Sequence, residues 1–289
     1  MRKEDKHIEK MPEELESVIV RSRVHWDRSK EQIWLDLEKR LPENAEAKTV
    51  TIQKNWTRIA LAAGIALLLS LTAVIKFYKK TIEIPVGQHA EVYLPDNSLV
   101  KLNAQSVISF NPLSWRFSRK LVFEGEAYFE VTKGSKFEIT SDKGKTVVLG
   151  TSFNIYARDS EYKVTCFTGK VKVIGKATSS EVVLSPGQQA SLNSDDIIDV
   201  QEVPDREQII SWIDNRFSFT SAPLKMVFEE IELQYGVKIS VPVDLDNIYT
   251  GTFMKDSDIE NTLNLVCRPF DLNAVKKSDK QYVITRNDR

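Results

Sequence analysis

The sequence predicts a mixed fold in four parts: a short α-helical head, one transmembrane helix, an all-β sandwich- or solenoid-like domain, and an α+β module of duplicated strand-helix-strand units. Three observations carry this. A single long apolar run follows a charged N-terminal stretch; hydrophobic residues then alternate with period two over about a hundred positions; and the last eighty residues hold a helical pattern that occurs twice.

The apolar run comes first because it divides the chain. Ile59 to Ile75 is free of charge, broken only by Gly64, Ser70 and Thr72. As a helix, Trp56 to Tyr78 rises about 34 Å against about 30 Å of bilayer hydrocarbon. Trp56 on one side and Phe77 and Tyr78 on the other are the residue types that settle at membrane interfaces, and Arg58 and Lys76 can snorkel outward. A buried core helix would show a polar stripe, and a cleaved leader would be preceded by a short basic segment; here 58 residues precede Ile59, and Lys-Phe-Tyr-Lys-Lys follows. A retained anchor is therefore expected. Its direction is left open by charge: residues 40–58 carry four basic groups and residues 76–80 carry three.

The head, residues 1–55, reads as two amphipathic helices. Leu15, Val18 and Ile19 mark the first. Ile33, Trp34, Leu37 and Leu41 share one face of the second, which opens on a Ser29/Gln32 capping box, stops at Pro42 and leads into a polar tether at 43–50. So short a segment buries little surface on its own. The face formed by Trp26, Ile33, Trp34 and Leu37 is expected to be completed by a partner, the alternative being that it only packs the two helices together.

After the span, Ala90, Val92 and Leu94 alternate, Pro95 to Ser98 supplies a turn, and Val100, Leu102 and Ala104 alternate again, which is a hairpin signal. The pattern recurs to Leu192 between glycines, defining a β-rich domain over 81–200. Cys166 shares a strand face with Val164 and reads as a buried small hydrophobe. In the module over 211–289, Leu224, Val227, Phe228, Ile231 and Tyr235 repeat their offsets 35 residues later as Ile259, Thr262, Leu263, Val266 and Phe270. A strand-like segment flanks each helix on either side. This predicts two helices on one face of a small sheet whose edges can dock a partner strand.

Several function classes fare poorly. The 40 basic and 41 acidic residues leave a net charge of -1, without the local basic excess that direct nucleic-acid binding needs. Cys166 and Cys267 have no zinc-ligand spacing, and the three histidines are isolated, so no metal or other cofactor is expected. Glu124 and Glu126 can be imagined as the acid and base of a glycan hydrolase, but the strand-turn pattern makes them solvent-facing strand residues; the chain is read as a non-enzyme. Phe110, Trp115 and Phe117 can be imagined as an aromatic row of a membrane-tethered glycan or peptide binder, the alternative being that they pack a loop onto the β-domain.

Longer segments carry a family resemblance. GQHAEVYLPDNSLVKLNAQSVISF at 87–110, FEGEAYFEV at 123–131, VLGTSFNIYA at 148–157, FTGKVKV at 167–173 and LSPGQQA at 184–190 resemble successive motifs of the FecR family of transmembrane anti-sigma regulators. WIDNRFSFTSAPLKMVFEEIELQYGVKI at 212–239 and YTGTF at 249–253 resemble the companion C-terminal module, akin to the short N-terminal fold of secretins and TonB-dependent receptors. The resemblance implies a single-pass inner-membrane protein with its N-terminus in the cytoplasm and its C-terminus in the periplasm. It also implies two partners: an extracytoplasmic-function (ECF) sigma factor held by the head, and the N-terminal signalling domain of a TonB-dependent outer-membrane transporter. The head is short and departs from the usual helical N-terminal motif of the family, which leaves open whether it only inhibits sigma or also assists it.

Overall fold

The computed structural model describes residues 27–41, 56–158, 161–192, 197–242 and 245–286. The expected first head helix, Trp26, Pro42 and the tether lie outside them. Residues 1–60 and 61–289 form two compact units.

In the first unit, α1 spans Lys30–Arg40. Its start is the predicted capping box: Gln32 N donates to Ser29 Oγ (3.3 Å), and Ser29 N donates to Gln32 Oε1 (3.2 Å). Glu31 in the first turn and Lys39 and Arg40 in the last complement the helix dipole.

The helix α2, Trp56–Phe77, begins in the first unit and continues into the second. Its mean hydropathy reaches 2.2 and none of its residues is buried. Ser70 and Thr72 turn their hydroxyls back onto the carbonyls of Leu67 and Leu69, so neither hydroxyl offers an unpaired donor to hydrocarbon. This helix fits a single-pass membrane anchor.

The bulk of the second unit is β-structure. Thirteen strands, from β1 (Lys80–Ile84) to β13 (Ile198–Glu202), form one sheet organised around β5 (Arg119–Glu130). The first half of β5 pairs with β4 (Ser106–Phe110) and, in parallel, with β6 (Phe137–Thr140). Its second half pairs with β3 (Leu99–Leu102) and β8 (Ser152–Arg158). Between them Gly125 has φ +110°, and a Cβ there would come within 2.4 Å of Ser106 Oγ. The strand turns there because glycine allows both the backbone angle and the close approach. The sheet doubles over at this point and nearly closes, barrel-like, rather than stacking parallel coils. Alternate residues of β5, including Leu121, Phe123, Ala127 and Phe129, point into one core with Val100, Ile108, Phe137, Phe153, Tyr162 and Cys166. The predicted hairpin is β2 (Ala90–Tyr93) against β3, with Val92 opposite Val100.

The C-terminal module has its own core around Leu224, Phe228, Leu263 and Val266. The repeat is visible as β14 (Arg216–Pro223), α3 (Leu224–Tyr235), β15 (Lys238–Ser240), then β16 (Ile248–Met254), α4 (Ile259–Cys267), β17 (Leu272–Ser278), closed by β18 (Gln281–Arg286). Gly236 (φ +67°) ends α3 as expected. The single small sheet is not what forms. The two leading strands pair with each other, β14 with β16, while the trailing strands β15 and β17 both pair with β18, giving a two-stranded and a three-stranded sheet.

A head helix and an inter-module cleft as candidate functional sites

On α1, Ile33 is half-buried, while Trp34 and Leu37 are 70% and 49% exposed. Burying each of the latter against a partner would stabilise a complex by about 1.5–3 kcal/mol. At the ends of α2, Trp56, Phe77 and Tyr78 are exposed, and Tyr78 N still donates to Val74 O (3.0 Å), which places Phe77 and Tyr78 on the last turn.

In the second unit, a cleft of about 780 Å³ separates the outward face of β5, β8 and β9 (Glu161–Cys166) from α3 and β14. The two walls meet in a polar joint. Glu126 sits on the outward face of β5, where sequence reasoning leaves it in solvent, but α3 covers that face and Glu126 is only 7% exposed; Glu124 is exposed. Asn103 Nδ2 (2.8 Å) and Asn154 Nδ2 (3.1 Å) donate to the two Glu126 oxygens. Gln234 of α3 then donates through Nε2 to Asn103 Oδ1 (2.8 Å) and Glu230 Oε1 (2.8 Å), and its Oε1 accepts from His89 Nε2 (2.8 Å). Backbone joins in: Gly87 N donates to Leu233 O (2.8 Å), and Lys255 Nζ to Gln234 O (2.6 Å).

Burial pushes the Glu126 carboxyl up to about 7; the neighbouring Glu230 charge raises it further, and Arg158 with the two amide donors pulls it back only in part. Burial also lowers His89, despite its bond to Gln234. Arg158 lies 4.0 Å from Glu230 and donates to Ala104 O (2.6 Å). A perturbed acid beside a cleft is a usual mark of a catalytic site. Here both oxygens are taken by amides of the β-domain, and one of those amides, Asn103, passes the network on to Gln234 of the C-terminal module, which makes Glu126 a joint residue.

Cys166 is buried, its thiol raised by burial to about 11, and behaves as the small hydrophobe expected. Among the described residues no cluster of three or more metal-ligating side chains occurs.

Two family models match the chain: the FecR protein model over residues 80–172 and the FecR C-terminal model over 216–284, between them more than half its length. The chain belongs to the FecR family. Two crystal structures of a candidate anti-sigma factor from Parabacteroides distasonis ATCC 8503, at 2.50 and 1.65 Å, superpose on this FecR chain with TM-scores of 0.64 at 25% identity. The match takes in 73% and 72% of this chain and the whole of each of those chains. No curated protein matches in sequence. The joint crosses between the two FecR models: His89, Asn103, Glu126 and Asn154 fall in the first, Glu230 and Gln234 in the second.

Sequence reasoning missed the joint. Gln234, seven positions after Val227 and three after Ile231, falls at the edge of the apolar stripe of α3 and is 97% buried. The available signal was polarity out of place, a Glu-Asn-Gln set in segments otherwise rich in core residues.

Proposed function

We propose that this FecR chain is a non-catalytic transmembrane anti-sigma factor divided as 1–55, 56–78, 81–200 and 211–289. The head faces the cytoplasm and sequesters an ECF sigma factor; residues 56–78 cross the inner membrane; the β-domain and the C-terminal module stand in the periplasm and receive the signalling domain of a loaded TonB-dependent transporter. The observation that carries the reading is the pairing of α1, an apolar face left open, with α2, a fully exposed apolar helix, in a chain of this family. Two likenesses support it: the family, and the Parabacteroides protein described as an anti-sigma factor. Exposed Trp34 and Leu37, with half-buried Ile33 beside them on the same face, are the proposed sigma contacts, and Trp26 extends that face in sequence.

The test is co-purification of the full-length chain with the sigma factors of its host, alongside a promoter reporter. Deleting residues 1–55 should abolish capture and derepress one sigma regulon; an unaltered transcriptome sinks the reading. The cleft supports a second reading, a membrane-anchored periplasmic glycan- or peptide-binding protein, because Tyr156, Lys163, Gln189 and Gln201 line it with the mixed polarity such ligands use. Saturable binding of a glycan or peptide by a chain that captures no sigma factor selects this second reading.

A further inference from the structure

We infer that the loop at 111–118 is a second membrane contact, seating Leu113 and Phe117 in the headgroup region of the bilayer that α2 crosses; the inference rests on the reading of α2 as a span. Loop and helix are joined directly. Asn111 Nδ2 donates to the carbonyls of Ile75 (2.6 Å) and Lys76 (3.3 Å), two of the last-turn acceptors that a helix leaves unsatisfied. The register fixes the height of the loop as well. Lys80, two residues past Tyr78, pairs with Phe110, and β1 runs away from the helix to Ile84, so β4 runs back toward it and ends where the loop begins. The C-terminal module touches the opposite end of this strand pair, through Gly87.

The loop is also rigid, so its exposed tip is a built feature. Asn111 Oδ1 accepts from Leu113 N (3.0 Å) and Ser114 N (3.1 Å), and Phe117 N and Ser118 N close on Ser114 O. Trp115 is buried edge-on between Phe110 and Phe137. Of the three aromatics considered as a binding row, two therefore pack the loop, while Phe117 is 88% exposed and Leu113 50% exposed. A lone apolar tip flanked by exposed Arg116, Lys79 and Lys80 lacks the stacked row that a sugar would need. Apolar side chains at the boundary with cations beside them fit an interface whose headgroups include anionic lipid.

The test uses the full-length chain in phosphatidylethanolamine/phosphatidylglycerol vesicles, with an environment-sensitive fluorophore on Arg116→Cys read against lipids spin-labelled near the headgroup, and the Leu68 control read in parallel vesicles whose lipids are spin-labelled deep in the acyl chain. Reporters on Leu68→Cys in the middle of α2 and on Asp279→Cys in the C-terminal module set the two limits. The expected result is a blue-shifted Arg116 reporter quenched as strongly as one on Tyr78→Cys, with that quenching at least halved by Leu113→Ser/Phe117→Ser. An Arg116 reporter as unquenched as the one on Asp279, while Leu68 is quenched, overturns the loop contact and leaves the span standing. An unquenched Leu68 reporter removes the span and the loop contact together. Protection of the loop that follows protein density instead of lipid quencher assigns the tip to a second copy of the chain, and also overturns the proposal.

Discussion

Glu126 loses acidity on being covered, and the sign of the effect on stability follows. Its carboxyl rises from 4.5 to about 7 on folding, so the folded state holds its proton more tightly. The associated stability is complete below pH 4.5 and is lost as pH climbs toward 7. His89 acts in the opposite sense: burial lowers it, so folding favours the neutral ring and stability falls as pH drops below the ordinary 6.5. Glu126→Gln should abolish the decline between pH 4.5 and 7 and leave the upward slope from His89, measured as melting temperature against pH; an unchanged profile shows that Glu126 does not titrate there. Gly125→Ala should be harsher. Its Cβ would meet the Ser106 backbone at 2.6 Å in a left-handed conformation, and a loss of about 2–4 kcal/mol is expected in denaturant titration. In the sequence Gly125 is one of several evenly scattered glycines, and Glu126 is one charge among many. Which of them mattered depended on what lay across the fold.

At the scale of elements the sequence is far more legible, because period and capping are local. The long apolar helix, the Ser29/Gln32 box, the β2–β3 hairpin and both helices of the repeat stand where spacing puts them. The number of sheets in the C-terminal module was not legible, because a duplicated strand-helix-strand unit specifies its members and not which copies pair. Ser29→Ala removes one half of the capping box and should lower the helicity of a head peptide by about 0.5–2 kcal/mol of helix stability, read by circular dichroism. Trp34→Ala/Leu37→Ala leaves that helicity intact, since neither side chain is buried, but should weaken sigma capture by at least tenfold in a pull-down titration. Equal capture by the double variant moves the contact elsewhere on the head.

Across the whole molecule the two FecR models are held by one buried chain of amides and acids running from Asn154 through Glu126 and Asn103 to Gln234 and His89. Gln234→Ala strips two of those bonds and a third to Glu230, and strands Asn103 and His89, at a cost of about 1–3 kcal/mol. Hydrogen exchange should quicken at Gly87 and along the C-terminal turn of α3 while the β-core stays protected; uniform protection would mean that the joint is held by packing alone. The sequence marks the members as polar residues out of place but not as partners, since they come from positions separated by up to 145 residues, and only the doubled sheet brings them together. The strand β1 has a further consequence. It leaves α2 at Lys80 and reaches the joint just beyond Ile84, with all five of its residues paired to β4. A tug on α2 along that axis loads the ladder in shear, so its bonds must yield as a block instead of unzipping one pair at a time. Tension between the anchor and the C-terminal module can therefore build without unravelling the sheet, and the compliant point in the line is Lys79, the single residue between Tyr78 and the first paired position.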